Sequence, residues 1–463
     1  MNAVDLAVIG AGPAGLAAAI TAAELGLKTV VFDEQPEPGG QIYRGVERVA
    51  AVRPAHLPLL GEDYAAGLQL VRRFRACAAD YRPLAAVWQI DRELRVHYRD
   101  PGGTGHVEAK QVIIATGALE RPMAVPGWTL PGVMTCGAAQ TLLKSAALVP
   151  AGRVVLAGGG PLLLLLASQL VRAGAKPAAV LETRTNPWPA LRHAARFVMA
   201  PGYLSKGLSM IGALRAAGVP IRRGVSKLRL IGTNRVERVS YEWKGAKRQE
   251  PVDLVLLHQG VVPNVNLALS LRCEHVWDDR QRCFRPRLDD WRVSSVPGVR
   301  IAGDGGGIIG AKASEMSGAL AALAAAHALQ RISADERDRR AAAIRAVLET
   351  HLRARPFLDT FYRPAQEWVA PRDPETLVCR CEEVSAGEIR RLVTEQACPG
   401  PNQMKAFVRC GMGPCQGRLC GLTVTEIIAE CRGVPQQEVG YYRIRPPVKP
   451  VSVGDLAALE IPE

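Results

Sequence analysis

Cysteines are concentrated near the C-terminus, where six of the eleven lie between residues 379 and 420. Four of them follow the pattern C-x-C, 28 residues, then C-x4-C, as Cys379, Cys381, Cys410 and Cys415. In an extended segment the side chains at positions i and i+2 point the same way, so Cys379 and Cys381 can bind one metal centre. Four thiolates are what a 2Fe-2S cluster requires, and Cys420 is the alternative ligand.

Other uses of these cysteines fit the chain to different degrees. A tetrahedral zinc site with four cysteine ligands is compatible with the spacing and stays open. A disulfide framework is not expected, because thiols in the cytoplasm stay reduced. An iron-sulfur cluster with four thiolates would carry a net charge of about −2, which nearby basic side chains would offset, and this would raise its reduction potential. These side chains are Arg380, Lys405, Arg409 and Arg418.

A glycine-rich turn near the N-terminus predicts dinucleotide binding. The apolar residues 6–9 indicate a buried parallel strand, and Gly10-Ala-Gly12-Pro13-Ala14-Gly15 and an Ala-rich helix follow it. The first glycine allows the tight turn, and the second lets the backbone approach a pyrophosphate. The third lets the helix pack closely on the strand, with the phosphates at the positive end of the helix.

A second strand, residues 28–32, ends at an acidic pair that can contact the adenosine ribose. Asp33 follows Gly15 by eighteen residues, and its carboxylate can accept hydrogen bonds from the ribose hydroxyls. Glu34 is the neighbouring candidate. The strand, the spacing and the acid together predict a dinucleotide site rather than an ordinary helix turn.

Three further segments resemble the flavoproteins with two dinucleotide domains, the family that includes glutathione-reductase-like enzymes. They are Pro38-Gly-Gly40-Gln41, Thr116-Gly117 after the strand 112–115, and Gly303-Asp304 after the strand 299–302. The resemblance implies FAD, with Asp304 near its ribityl and phosphate region. It also implies that the helix 311–329 points at the flavin, whose reduced anion the helix dipole would stabilise. The predicted cofactor-binding set is Gly10, Gly12, Pro13, Ala14, Gly15, Asp33, Glu34, Gly40, Gln41, Arg44, Thr116, Gly117, Gly303 and Asp304.

A second nucleotide fold begins near residue 152 and repeats the layout of the first. A strand, the turn Gly158-Gly-Gly160, a helix and a second strand ending at Glu182 follow one another. The repeat is degenerate, because Leu163 stands where the third glycine belongs. Glu182 could hold a ribose and Arg184 a 2′-phosphate, so bound NAD(P) and another adenine nucleotide both stay open as alternatives.

The sequence offers no convincing machinery for substrate chemistry, and we name no catalytic residue. A disulfide reductase of the flavoprotein family needs a cysteine pair beside the flavin, but Gly40 is followed by Gln41-Ile-Tyr-Arg44, and Cys136 stands alone. No stretch presents an acid-base pair or a nucleophile with its base. His258 is predicted to be structural rather than catalytic.

The cysteine segment resembles the bacterioferritin-associated-ferredoxin-type 2Fe-2S domain. The whole chain resembles the α subunits, also called A or B, of multi-subunit amino-acid and amine dehydrogenases. That class includes subunits of opine oxidase, D-hydroxyproline dehydrogenase, dye-linked proline dehydrogenase and hydrogen cyanide synthase. The resemblance rests on the segments 33–44, 410–418 and 445–450.

This resemblance implies an electron-transfer subunit that accepts electrons from a D-amino-acid-oxidase-like flavoprotein subunit, where the substrate is oxidised. A small ferredoxin-like 2Fe-2S subunit is a further candidate partner. Two alternatives stay open: a stand-alone NAD(P)H-dependent flavin and iron-sulfur oxidoreductase, and a non-enzymatic electron-transfer or redox-sensing module. The implied donors are compounds with CH-NH or CH-NH2 groups.

Charge and hydropathy limit which binding partners and which cellular compartment we expect. The formal charge of +14 comes from 58 basic and 44 acidic residues, which are scattered, so nucleic-acid binding is not expected. An acidic redox partner would suit this excess. The first apolar run contains three glycines and begins at Asp5, unlike a signal peptide, so we expect a cytoplasmic protein. We expect no transmembrane segment, and peripheral membrane association through partners stays open.

The fold class predicted is α/β, with two Rossmann-like dinucleotide-binding domains and a small, mainly helical 2Fe-2S domain. The predicted ranges are 1–150 and 276–345 for the FAD domain and 151–275 for the second nucleotide domain. The linker and cysteine domain are predicted at 346–435, and an extended, proline-rich tail at 436–463, where it could contact a partner subunit.

Overall fold

The structure is a computed structural model that describes residues 3–184 and 186–459. The strands of these residues, numbered β1 to β21 in chain order, are Ala3–Ile9, Thr29–Phe32, Asp80–Arg82, Ala86–Ile90, Arg95–Asp100, Gly103–Ile114, Ala118–Glu120, Val133–Thr135, Val154–Gly158, Ala179–Glu182, Ile221–Arg223, Ser226–Ile231, Arg238–Trp243, Ala246–Pro251, Leu254–His258, Val261–Pro263, His275–Asp278, Cys283–Pro286, Val299–Ile301, Leu377–Cys379 and Val384–Ser385.

The α-helices of the same residues, numbered α1 to α18, are Pro13–Glu24, Val46–Val52, His56–Leu60, Glu62–Ala76, Cys136–Ala146, Pro161–Arg172, Ala194–Val198, Pro201–Ala216, Asn266–Ser270, Ala311–Ala328, Ala334–Leu352, Arg355–Phe361, Gln366–Val369, Ala386–Glu395, Pro401–Val408, Gly421–Arg432, Gln436–Val439 and Val453–Ala457. Two 3-10 helices cover Trp188–His193 and Gly303–Gly306.

The first sheet has seven strands in the order β3-β2-β1-β6-β5-β4, with β19 beside β6. The strands β3, β2, β1, β6 and β19 run parallel, whereas β4 and β5 extend the sheet antiparallel. Within β1, Leu6 and Val8 enter one apolar core and Ala7 and Ile9 another, because side chains alternate between the two covered faces of the sheet. The Ala-rich helices α1 and α10 pack against each other on one of these faces.

The second sheet has the order β11-β10-β9-β15-β8 and is parallel throughout. A separate antiparallel sheet, β12-β13-β14, extends this part of the chain. Because β8 already belongs to the second sheet, the chain enters that sheet before the predicted boundary at residue 150. The predicted α/β class with two Rossmann-like units is confirmed, while the domain ranges stay predictions.

The C-terminal part is mainly helical and carries the cysteine segment. The hairpin of β20 and β21 leads into α14, and α14, α15 and α17 pack on α16 or on one another. The tail, which we predicted to be extended over 436–463, contains the short helices α17 and α18 in its described residues, with irregular backbone between them. Among the described helices, none has the length and apolar character needed to cross a bilayer.

Candidate functional site

The glycine turn between β1 and α1 has the close approaches that a phosphate-binding turn needs. Gly10 has a φ of +106°, and a Cβ there would lie 2.6 Å from the carbonyl oxygen of Ala115. A Cβ on Gly15 would lie 1.8 Å from the carbonyl oxygen of Gly10. The helix begins at Pro13 without a capping side chain. Its first amides and its positive end are therefore available to an anion.

The acidic pair after β2 has two distinct environments. Asp33 is buried, and its carboxylate accepts hydrogen bonds from the backbone amides of Ala11 at 2.5 Å and Gln35 at 2.7 Å. Burial raises the pKa of Asp33, and the two amides oppose that rise. Glu34 is exposed and forms an ion pair with Lys449 of the tail. Asp33 therefore ties β2 to the glycine turn, and Glu34 is the more accessible carboxylate for a ribose.

Most of the predicted cofactor residues meet in one cavity of about 2490 Å³. This volume exceeds the roughly 300–1,000 Å³ of ordinary ligand pockets and is ample for a dinucleotide. Those that line it are Gly10, Gly12, Pro13, Ala14, Asp33, Glu34, Gly40, Gln41, Arg44, Thr116, Gly117 and Asp304. Gly15 and Gly303 lie behind the wall, where their lack of a side chain permits the packing around Ala14 and Gly10. Their roles in cofactor binding stay predictions.

Asp304 organises the turn that precedes α10. Its carboxylate accepts hydrogen bonds from the backbone amides of Ile309 at 2.8 Å and Gly310 at 2.9 Å. Gly310, Ala311 and Asp304 line the cavity, so the N-terminal end of this 18-residue helix faces it. The positive end of the helix dipole is thus directed at the space where the resemblance places the flavin.

Lys144 is a buried cation on the wall of this cavity, and no sequence motif pointed to it. Its Nζ donates hydrogen bonds to the carbonyl oxygen of Gln41 at 3.0 Å and to Oε1 of Gln140 at 2.9 Å. It lies 5.7 Å from the centre of the Tyr64 ring. Burial lowers the pKa of Lys144 to about 7, and Arg44 adds to the effect.

We expect the Lys144→Met variant to be more stable than the wild type at pH 6, with a gain that fades towards pH 10. The folded-state pKa of Lys144 lies below its unfolded value, so protonation favours unfolding, and wild-type stability rises with pH between about 7 and 10.5. Over that range the free energy of unfolding of the wild type should rise by roughly 3–5 kcal/mol. Urea denaturation at several pH values measures it. Lys247→Met, at an exposed position, is the control. If the free energy of unfolding changed with pH in the same way for wild type and Lys144→Met, the prediction would be contradicted.

A histidine and a glutamate, His258 and Glu120, form a pair where the second sheet borders the cavity. Nδ1 of His258 lies 2.6 Å from Oε1 of Glu120, and Oε2 of Glu120 accepts a hydrogen bond from the amide of Gly137 at 2.8 Å. Both side chains line the cavity. The two residues are 138 positions apart, so only the packing of the fold brings them together. Their contacts show a link between β7, β15 and the start of α5, in agreement with a structural His258.

The second glycine turn is partly filled by side chains of the same chain. A Cβ on Gly160 would lie 2.8 Å from Nε2 of His258. Glu182 is buried and engaged by Arg184 at 3.3 Å and by Arg223 at 3.1 Å. The Arg184 guanidinium lies 3.8 Å from the centre of the Phe361 ring. The cavity beside this strand end is about 270 Å³, which is small for a dinucleotide, while Gly160 and Pro161 of the same turn line the large cavity.

The structure groups the cysteines differently from the predicted set of four. The Sγ atoms of Cys379, Cys410 and Cys420 all lie within 4.8 Å of one another, and all three residues are buried. Cys381 is exposed and lies outside this group, beside the loop that carries the partly buried Cys415. Cys420, which the sequence offers as the alternative ligand, is therefore one of the three grouped cysteines. The ligand set stays a prediction.

The chemistry of this cysteine group suits a thiolate-bound metal centre. Hydrogen bonds from Cys410 and Cys420 hold the pKa of Cys379 well below its ordinary value, whereas hydrogen bonding to Cys379 and burial raise the pKa of Cys410 and of Cys420. A cysteine that is a thiolate at neutral pH is ready to bind a metal. Three converging sulfurs, with Cys381 and Cys415 nearby, can supply the four thiolates of an iron-sulfur or a zinc site.

Two dinucleotide-type folds around one cavity, with a cysteine group on a C-terminal extension, define an oxidoreductase of the flavoprotein class. The chain belongs to the family described as pyridine nucleotide-disulphide oxidoreductase, whose model matches residues 4–328. The model of the sarcosine oxidase A3 domain matches residues 375–460. Among the described residues that line the cavity there is no cysteine, and Cys136 is buried at the start of α5, so no dithiol faces this space.

Relatives of similar length extend this assignment. The A subunit of opine oxidase from Agrobacterium tumefaciens (strain Ach5) is 46% identical over 98% of this chain and 92% of its own. Hydrogen cyanide synthase subunit HcnB of Pseudomonas aeruginosa (strain PAO1) is 34% identical over 96% of each chain. The L-proline dehydrogenase from P. horikoshii has the same fold, with a TM-score of 0.71 and 19% identity over 98% of this chain and 79% of that chain. The predicted resemblance to this group of subunits is confirmed.

Proposed function

We propose that this chain is the FAD- and 2Fe-2S-containing electron-transfer subunit of a multi-subunit, dye-linked amino-acid or amine dehydrogenase. The substrate would be a CH-NH or CH-NH2 donor of the D-hydroxyproline, opine, proline or glycine class. A D-amino-acid-oxidase-like flavoprotein subunit would oxidise it and pass the electrons to this chain. A small ferredoxin-like 2Fe-2S subunit is a further candidate partner.

The observation that carries the proposal is the contact between the cysteine loop and the large cavity. The Asn266 side-chain amide, in α9, donates a hydrogen bond to the carbonyl oxygen of Gln416 at 2.9 Å. Arg418 of the same loop lines the cavity together with Val448 and Lys449. A loop that carries cysteines and also contributes Arg418 to the wall of the predicted flavin cavity suits electron transfer from one centre to the other.

The residues around the cavity have separate tasks in this proposal. FAD, when bound, accepts electrons in pairs and releases them singly. The glycine turn and the N-terminus of α1 would bind its phosphates, and Glu34 would accept hydrogen bonds from its ribose. Asp304 fixes the turn before α10, whose positive end would stabilise negative charge in the cavity. Lys144 adds a titratable group beside Gln41.

The state of the second nucleotide turn favours electron entry from a partner over reduction by NAD(P)H. His258 lies against Gly160, Glu182 is held by Arg184 and Arg223, and the groove beside Arg184 has a volume of only about 270 Å³. A stand-alone NAD(P)H oxidoreductase would need that groove. For the same reason we do not propose bound NAD(P), and another adenine nucleotide stays an alternative.

The relatives support the part of the proposal that concerns assembly. The opine oxidase and hydrogen cyanide synthase relatives carry names that identify them as subunits, and the related P. horikoshii structure is an L-proline dehydrogenase. The formal charge of +14 suits an acidic partner surface, because complementary charge speeds encounter. We propose a cytoplasmic location, with any membrane contact made through partners.

Spectra and metal assays of the anaerobically purified chain test the proposal. We expect flavin bands with a reddish shoulder and about two irons and two sulfides per chain. We expect little reduction by NADH, and full reduction when a co-purified flavoprotein subunit and D-hydroxyproline, an opine, proline or glycine are added. Cys379→Ser should lose the iron. Cys398→Ser should keep it, because the Cys398 thiol donates its hydrogen bond to the Gly400 carbonyl and is not one of the three grouped sulfurs.

Each alternative has its own outcome in this experiment. If the assays found zinc and no sulfide, the cysteine group would be a structural zinc site and not an iron-sulfur cluster. Rapid reduction by NADH alone would support the stand-alone oxidoreductase. A chain that holds both cofactors but takes electrons from neither NADH nor a partner with substrate would point to the non-enzymatic redox module.

A further inference from the structure

One side chain that no motif identified touches the cysteine group directly. Tyr442 is 1% exposed, and its hydroxyl donates a hydrogen bond to Sγ of Cys410 at 3.3 Å. The same oxygen lies 3.7 Å from Sγ of Cys420. Two of the three grouped sulfurs therefore share one buried phenol.

The packing around the ring fixes where this hydroxyl points. A Cβ on Gly411 would lie 2.4 Å from the ring of Tyr442, and a Cβ on Gly417 would also lie 2.4 Å from it. Both glycines have positive φ, +85° and +74°, which other residues rarely adopt. The Nζ of Lys405 lies 4.8 Å from the centre of the ring. The cysteine loop thus packs around the ring, and the hydroxyl is buried beside the sulfurs.

A hydrogen bond donated to a ligand sulfur changes the redox properties of an iron-sulfur centre. Reduction adds one electron, and the donor stabilises the more negative state more than the less negative one. A phenol is neutral at physiological pH and has one proton to donate, so it can do this without carrying a charge into the core. Outer-shell donors of this kind tune a metal centre without binding the metal.

We infer that Tyr442 is a positioning residue that raises the reduction potential of the cysteine-bound centre through its hydrogen bond to Cys410. The inference rests on the proposed function, because it requires that an iron-sulfur centre is bound. The electron would come from the reduced flavin, one at a time, and the proton would stay on the phenol. Tyr442 would thereby make the centre a better acceptor from flavin.

The chain offers a matched control in the neighbouring tyrosine. Tyr441 belongs to the same segment, but its hydroxyl donates to the carbonyl oxygen of Gly417 at 3.2 Å instead of to a sulfur. Tyr442→Phe and Tyr441→Phe each remove one hydroxyl from a packed ring. Only the first removes a hydrogen bond to a sulfur.

The test is a potentiometric titration of the centre in the full-length, anaerobically purified protein, followed by electron paramagnetic resonance. For Tyr442→Phe we expect one-electron reduction to be roughly tenfold less favourable, a potential about 59 mV more negative. Tyr441→Phe should keep the wild-type potential. Resonance Raman spectra should show a shift of the iron-sulfur stretching bands in D2O for wild type and not for Tyr442→Phe.

The outcomes separate this inference from the proposed function. A wild-type protein without iron and sulfide would refute the cluster, and with it the inference. Full iron content in both variants with equal potentials would refute the role of Tyr442 and leave the cluster intact. Loss of iron in Tyr442→Phe alone would mean that the hydroxyl serves assembly instead of potential, which also overturns the inference.

Discussion

Replacing Glu426 by Gln is expected to lower the free energy of unfolding by roughly 3–5 kcal/mol, because it leaves a buried arginine without its anion. Glu426 is fully buried and accepts hydrogen bonds from Nε of Arg282 at 2.8 Å and from Nη2 of Arg282 at 2.6 Å. Gln436 donates a third hydrogen bond to the same carboxylate at 2.7 Å. In the variant, the NH2 group of the glutamine would face an N–H group of Arg282 or Gln436, and neither could accept a hydrogen bond from the other. Urea denaturation followed by circular dichroism measures the loss.

This ion pair holds the cysteine-bearing part of the chain to the flavoprotein fold. Arg282 precedes β18 and also donates to Gln366 in α13, whereas Glu426 lies in α16. We therefore expect Glu426→Gln to release iron from the cysteine site at lower denaturant than the wild type does. The pair need not be stabilising in total, since burying two charges is costly, and a double replacement by Met and Leu could equal the wild type.

The matched control lies one turn further along the same helix. Glu430 pairs with Arg390 at 2.6 Å, but both side chains are partly exposed, at 28% and 26%. Solvent screens such a pair, so Glu430→Gln should cost less than about 1 kcal/mol. Equal losses for Glu426→Gln and Glu430→Gln would show that burial does not decide the effect and would contradict the prediction.

The sequence predicted the parts of the site that depend on local geometry. The turn at Gly10 and Gly15 needs glycine because neighbouring backbone comes within contact distance, and that need leaves a spacing that can be recognised without a structure. The α/β class follows in the same way from apolar strands that alternate with Ala-rich helices. The sequence also predicts that Asp33 contacts the cofactor, which stays a prediction, but it does not predict the hydrogen-bond partners of that carboxylate. The carboxylate meets the amides of Ala11 and Gln35 because of how the turn closes.

Contacts between distant segments could not be predicted from the sequence. Lys144 meets Gln41 across 103 positions, and the His258 and Glu120 pair spans 138. The cysteine group illustrates the same limit. The C-x-C spacing predicts Cys379 as a ligand, but which of Cys381, Cys415 and Cys420 lies beside it depends on how the loop around Tyr442 folds. Spacing restricts which residues can meet, and packing selects among them.

A methyl group at Gly318 is expected to separate the two central helices and to cost the protein its flavin. Gly318 lies in α10 where that helix crosses α1, and a Cβ there would lie 1.9 Å from the carbonyl oxygen of Ala14. The obstacle is backbone, so no side chain can rotate away. The helices must move apart by more than about 1 Å, and overpacking of this kind costs roughly 1–3 kcal/mol or more. The same movement would displace Ala14 and the glycine turn from the cavity wall.

A glycine-to-alanine substitution on an exposed helix face is expected to have the opposite effect on stability. Gly212 lies in α8, and a Cβ there would meet nothing within 4 Å. Gly212→Ala should therefore raise the free energy of unfolding by about 0.5–1 kcal/mol, because alanine loses less backbone entropy in a helix. Flavin content per chain, read from the visible spectrum, should fall for Gly318→Ala and stay at the wild-type value for Gly212→Ala. If Gly318→Ala kept its full flavin content and wild-type stability, the close crossing of α1 and α10 would not be what holds the glycine turn in place.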